Sequence, residues 1–227
     1  MTGWMTVALV SFQVGILVIL LEALRRQDVA AATNALVSFA VTLVPAAVEY
    51  VAEAGFDGSI AFGTDLPLWV AVAGFLHAVG MLGPYDSVWW WDHLTHLVSA
   101  ALVAALVYAG FLVLTPALGW WRIGLLTIGV TFIVGVLWEL FELLARRVGN
   151  QYDVEPVLVH YGWRDTAFDL VFDVLGALLV VLFDLRVFVS VADRSLESQG
   201  VTVLGASVLV FAVALVVLGL DARSGES

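Results

Sequence analysis

An all-α, polytopic transmembrane helical bundle is the fold class this sequence predicts, and three observations predict it. Hydrophobic residues make up 62% of the 227 and charged residues only 13%, and the mean hydropathy is +1.03; soluble proteins lie far below this. The apolar runs reach about 20 residues, the length that crosses a bilayer core. The longest polar stretches are about twenty residues, against a usual domain minimum of roughly fifty. Residues 1–227 therefore read as a single integral membrane domain, with the lipid bilayer as its first partner.

In chain order the candidate spans are residues 4–24, 29–52, 66–83, 93–114, 121–145, 166–186 and 201–220, which is about seven helices at roughly 20 residues each. The first lacks the basic start and small-residue cleavage pattern of a secretory signal and is read as a retained helix. The second carries Glu49 toward its far end. The third is interrupted by Pro67, Gly74, Gly80, Gly83 and Pro84; membranes tolerate such residues, and omitting this run gives six helices as the alternative. The fourth, fifth and sixth hold most of the buried charge. Trp4, Trp69, Trp89, Trp90, Trp91, Trp120, Trp121 and Trp163 fall at the predicted ends, where indoles anchor at the headgroup level.

Orientation follows the arginines. With the amino terminus outside, the inner loops and tail hold Arg25, Arg26, Arg146, Arg147, Arg164 and Arg223, against Arg122, Arg186 and Arg194 outside. The positive-inside tendency then makes this a multi-pass cell-membrane protein with a cytoplasmic carboxyl terminus.

Composition also excludes chemistries. There is no cysteine, hence no disulfide, thiolate or iron–sulfur site. All nine basic residues are arginine. Retinal is excluded because its Schiff base needs a lysine. The net charge of −11 argues against nucleic acid, and the Lys-free, Asp-rich composition suits a salt-adapted source. No His-Glu-x-x-His, Gly-x-Ser-x-Gly or phosphate-binding loop occurs.

Seven ionisable residues stand out: Asp92 and His96 opening the fourth helix, Glu139 and Glu142 near the inner end of the fifth, and Asp165, Asp169 and Asp173 opening the sixth. Alternate helices run in opposite directions, so all three groups share one leaflet, within roughly 10 to 12 Å of depth at 1.5 Å per residue. Spacings of three and four put each set on one helical face. So many carboxylates cannot be ionised and unpaired in one low-dielectric pocket, and must hold protons, arginines or cations. Oxygen donors select Mg, Ca or Mn, and an imidazole adds Zn.

Two plainer readings stand beside this. Arg146, Arg147 and Arg164 are close in sequence and could neutralise the acids as interfacial ion pairs. Asp92 and Asp165 could be N-caps. His77 reads as a hydrogen-bonded interior histidine, His93 as facing the interface, and Glu22 and Asp57 as solvated flanks. A haem between His77 and His96 is geometrically open but not favoured. His160 sits in the Arg146–Arg164 connection, the longest of the chain.

The stretch Tyr85–Leu182 resembles the YjdF-type family of uncharacterised inner-membrane proteins. The resemblance rests on Trp91-Asp92-His93-Leu94-Thr95-His96, on Trp138-Glu139-Leu140-Phe141-Glu142, and on Asp165-Thr166-Ala167-Phe168-Asp169-Leu170 followed by Asp173 and Gly176-Ala177. It implies a small helical membrane protein with an Asp-x-x-x-His, a Glu-x-x-Glu and an Asp-Thr-x-x-Asp. This chain departs at Gly162, where some relatives carry an acid. A looser similarity is to VanZ-like membrane proteins. Neither implies a reaction.

The expectation from sequence is therefore a cytoplasm-facing intramembrane site binding a divalent metal, serving metal-assisted hydrolysis or transfer on a lipid-borne group. A proton- or cation-coupled transporter and a structural subunit with ion-paired charges are the alternatives. The sequence assigns neither an oligomeric state nor a catalytic residue.

Overall fold

The computed structural model describes residues 2–55, 61–152 and 162–197. Among them the chain forms eight helices and no strand: α1 (Thr2–Arg26), α2 (Val29–Gly55), α3 (Asp65–Met81), α4 (Pro84–Ser87), α5 (Trp91–Leu114), α6 (Trp120–Tyr152), α7 (Trp163–Leu182) and α8 (Val189–Glu197). An all-α bundle is thus what the hydropathy pattern specifies. Four helices, α1, α2, α5 and α6, are long and apolar enough to cross a membrane, and α3 is a shorter apolar helix.

Six of the seven expected spans coincide with helices; the seventh, 201–220, lies outside the described residues, as do Asp57, His160 and Arg223. Two boundaries differ for physical reasons. α6 continues to Tyr152, because a hydropathy window finds where the bilayer ends, whereas the helix runs on through Arg146 and Arg147. α7 stops at Leu182, four residues before the expected end, in a Schellman turn: Leu185 N–H donates to Val180 O (2.9 Å) and Asp184 N–H to Val181 O (3.2 Å). Asp184 takes the left-handed position at φ 48° that closes such a motif. α1 ends identically, with Gln27 at φ 62° and Asp28 N–H donating to Ala23 O at 3.0 Å. Asp28 then caps α2, its Oδ1 accepting from Ala31 N–H at 2.8 Å.

The helices assemble as two groups of three. α1, α2 and α3 pack around Ile16, Ile19, Ala35 and Ala78, while α5, α6 and α7 pack around Ala104, Ala105, Tyr108, Ile123, Ala177, Val180 and Val181. α3 and α5 join the groups. Exposed Val, Leu and Ile side chains run along the outer faces of α1, α2 and α6, as lipid contact requires.

Within the second group α5 and α7 run parallel and approach most closely. Gly176 makes this approach: a Cβ there would fall 2.6 Å from Leu97 O and 2.9 Å from Ala101 N. Small residues let backbones meet where no hydrophobic force drives helices together. That close approach fixes the register of α5 against α7, and the register builds the site.

Candidate functional site

Three helices carry the acids and imidazoles to one end of the second group, where Asp92, His93, Thr95, His96, Glu139, Glu142, Asp169 and Asp173 are all buried. The parallel α5–α7 pair matches a three-residue step against a four-residue step. His93 and His96 on α5 face Asp169 and Asp173 on α7, so His93 Nδ1 lies 2.7 Å from Asp169 Oδ1 and His96 Nδ1 lies 3.1 Å from Asp173 Oδ1. Antiparallel α6 brings Glu139 Oε1 to 3.8 Å from His96 Nε2. Glu142 accepts from its own-helix neighbour Trp138 Nε1–H at 2.9 Å and is close enough to interact electrostatically with Asp92, Glu139 and His96.

His96 is the hub. Its Nδ1 faces Asp173 on α7, and when that nitrogen donates to the carboxylate, Nε2 is the ring nitrogen left for another partner. Nε2 is buried and has no hydrogen-bond partner, and the same holds for Asp169 Oδ2 and Asp173 Oδ2. Buried polar atoms left over in this way are uncommon and call for a partner. Ligand atoms of Asp92, His96 and Asp169 lie within 4.8 Å of one another, as do those of His93, Asp165 and Asp169.

Gly135 on α6 makes room for this arrangement, because a Cβ there would collide with the Asp173 carboxylate. Beside the cluster lies a cavity of about 200 Å³ lined chiefly by α5 (His96, Ser99, Val103) and α6 (Thr131, Trp138), with His77 of α3 and Asp173 of α7 completing its wall. His77 is bonded at both nitrogens, to Tyr85 OH at 2.7 Å and to Ser99 Oγ at 3.3 Å.

Residues 7–190 match the model of a family described as predicted membrane protein (DUF2238). The chain belongs to this family. No match was found among curated proteins or among solved structures.

In this DUF2238 chain the seven residues singled out from sequence converge on one end of α5, α6 and α7. The sets within coordinating distance, however, run through Asp92, His96 and Asp169, and through His93, Asp165 and Asp169. His93 is a correction: it is buried against Asp169 and stacked on Phe172 with ring centroids 5.1 Å apart, where the sequence reading had it facing the interface. The missed signal was its three-residue spacing to His96, opposite the four-residue spacing of Asp169 and Asp173. Thr127 and Thr131, fully buried with unpartnered hydroxyls, were also missed, since threonine in an apolar helix carries no sequence signal of its own.

Neither plain alternative accounts for the cluster's centre. The N-cap of α5 is Trp90 and that of α7 is Gly162, so Asp92 and Asp165 lie inside the first turns. Gly162, at φ 120°, occupies a backbone conformation in which a side chain would be strained, and this bears on why no acid stands there. Among the described residues no guanidinium bonds to Asp92, Asp169, Asp173 or Glu142; their partners are His93, His96, Thr95 and Trp138. The Arg164 guanidinium lies over the Trp163 ring, 5.5 Å from its centroid.

Proposed function

We propose that the cluster binds a divalent cation, with His96 Nε2 and oxygens of Asp92, Asp169 and Glu139 as ligands. Asp173 would act as a positioning residue holding the His96 tautomer. One observation carries this reading: a buried, unpartnered imidazole nitrogen lies among carboxylates whose partners include no arginine at Asp92, Asp169 or Asp173. A carboxylate on the far nitrogen of a metal-binding histidine is the usual way of fixing its ring and raising its basicity. An ion at about 2.0 to 2.5 Å from each ligand atom fits the 4.8 Å envelope around one ligand atom each of Asp92, His96 and Asp169, and Glu139 Oε1, 3.8 Å from His96 Nε2, stands beside that set. The donor set, oxygens with one imidazole, suits Mg, Mn, Ca or Zn.

A cation held there would polarise an ester or phosphoester oxygen and activate water, and we read the substrate as a lipid-borne group because the neighbouring cavity is lined chiefly by α5 and α6, two helices long and apolar enough to cross a membrane. The arginine distribution supports a cytoplasmic face for this end and an external amino terminus. The YjdF-type name, and the looser VanZ-like one, rest on the Asp-x-x-x-His, Glu-x-x-Glu and Asp-Thr-x-x-Asp motifs alone. Coupled transport is less well supported, because the described α5–α7 core between the cluster and the far end is Ala104, Ala105, Ala109, Val180 and Val181, with the hydroxyls of Thr127 and Thr131 on α6 as the polar groups beside it.

The test is metal analysis of detergent-purified protein after equilibration with Mg, Mn, Ca or Zn and removal of excess. Stoichiometric metal in the wild type, lost in Glu139→Gln with Asp169→Asn and in His96→Ala, is the expected result. Wild-type protein that retains none of the four ions overturns the reading.

A further inference from the structure

Two sets of ligand atoms lie within coordinating distance, Asp92 with His96 and Asp169, and His93 with Asp165 and Asp169. A cation held by the first leaves the second unused. Both sets follow from the pairing of α5 with α7. His93 precedes His96 by three residues and Asp165 precedes Asp169 by four, which displaces the second set by about 4.5 to 6 Å toward the start of both helices at 1.5 Å per residue. The sets meet at Asp169.

That carboxylate is built to be shared. Asp169 is 1% exposed, its Oδ1 faces His93 Nδ1 at 2.7 Å, and its Oδ2 is buried with no hydrogen-bond partner. Oδ2 is thus the oxygen left for the set of Asp92 and His96. On the Oδ1 side, a ring nitrogen and a carboxylate oxygen at 2.7 Å need a proton or a metal ion between them, since two lone pairs cannot face one another so closely. The separation suits an ion, because two ligand atoms at right angles, each about 2.1 Å from a metal, lie about 3 Å apart. Packing holds the His93 ring in place: it stacks on Phe172 with centroids 5.1 Å apart and an interplanar angle of 10°, and Trp89 meets it edge-on at 6.2 Å. A ligand fixed in this way needs no reorientation to bind. Asp165 lies one turn nearer the start of α7, half-buried and with an interaction of its own, for which an ion would compete.

We propose that the cluster is a two-cation centre, in which His93, Asp165 and Asp169 bind a second divalent ion and Asp169 bridges it to the first. The proposal rests on the cation reading for the first ion and adds the second. The displacement between the sets is close to the spacing of about 3.5 to 4 Å usual for paired metal ions. With three protein ligands against four, one of them partnered already, the second ion is the weaker and is lost when excess metal is removed.

The test uses Mn alone as the probe. Detergent-purified protein is dialysed to equilibrium against increasing Mn, in salt sufficient to screen its surface acids, and the bound ion is counted and its electron paramagnetic resonance recorded. Two Mn per chain are expected, bound in two steps, with the six-line spectrum of an isolated ion giving way to that of an exchange-coupled pair as the second step fills. Asp165→Asn and His93→Gln should each weaken the second step more than about tenfold, the least that losing even an outer partner of a metal site usually costs. The first step and its six-line spectrum should survive in both. One saturable Mn per chain in the wild type, two that never couple, or a second step unmoved in both variants overturns the second site and leaves the first standing. No saturable Mn at all overturns both.

Discussion

The two ends of the α5–α6–α7 group use the same three helices for opposite purposes. At one end the interior is Ala104, Ala105, Ala109, Ile123, Ala177, Val180 and Val181, closed by a polar group in which Tyr108 OH donates to Asp184 Oδ1 at 2.7 Å, Arg186 Nε donates to the same carboxylate and Trp120 bonds Tyr108. At the other it is carboxylates and imidazoles, several with unpartnered atoms. Apolar packing can be satisfied by side-chain shape alone, whereas buried acids cost free energy unless something outside the chain completes them. The contrast teaches that the alanine-rich end supplies the stability that the acidic end spends.

The strongest way to break the comparison is at the residue both ends depend on. Gly176 sits at the junction, with backbone of α5 against its Cα. Gly176→Leu cannot be relieved by a side-chain rotation, because Leu97 O and Ala101 N are main-chain atoms. Overpacking a core typically costs about 1 to 3 kcal/mol, and a backbone collision should exceed that. The expected outcome is loss of the monodisperse detergent-solubilised protein on size exclusion, with both ends failing together. A variant that stays folded but loses only metal would instead mean that the register of α5 on α7 serves the site and not the bundle.

The next test separates the ends. Glu142→Gln keeps an acceptor for Trp138 Nε1–H and removes from the metal-free cluster a buried carboxyl that is costly to ionise among its acidic neighbours. An amide of the same shape avoids that cost, and single stabilising substitutions commonly yield about 0.5 to 2 kcal/mol. The midpoint of thermal unfolding of the metal-free protein should therefore rise, while a comparable change at the alanine-rich end, such as Ala104→Ser, should lower it. Equal destabilisation by both would show that the acidic end is structural, as the ion-pair reading holds.

How much of this was legible beforehand divides along the same line. The class, six helices and the shared depth of Asp92, His96, Glu139, Glu142, Asp165, Asp169 and Asp173 follow from hydropathy and from spacing along alternating helices, both local properties. The pairing of His93 with Asp169 was not legible, because it depends on the rotation of α5 against α7, which Gly176 sets through space. The short helices α4 and α8 escaped because four and nine residues, the latter amphipathic, fall below any membrane window. Nor does spacing reveal that Gly135 leaves room for the Asp173 carboxylate, since a glycine in an apolar helix looks the same whether it faces lipid or an acid.

The smallest effect probes the contact of Tyr108 with Asp184 at the stable end and carries a pH signature. Arg186, bonding through Nε at 2.9 Å, and Tyr108 hold the Asp184 carboxyl below its ordinary range. A group whose pKa is depressed on folding contributes stability that is fully present above its unfolded value and is lost as pH falls through the folded one. The contribution therefore stands at neutral pH and fades below about pH 4, the ordinary aspartate range. Tyr108→Phe removes the hydroxyl's share, about 1 kcal/mol for a single hydrogen bond, reduced by the exposure of Asp184 to water. Unfolding midpoints of the wild type and Tyr108→Phe should differ at pH 6 and converge toward pH 3. Taking the difference between the two proteins cancels the titration of the distant acidic cluster, which both share. A gap that stays constant across that range would mean that the tyrosine acts by packing, and that the Schellman turn at Asp184 holds without it.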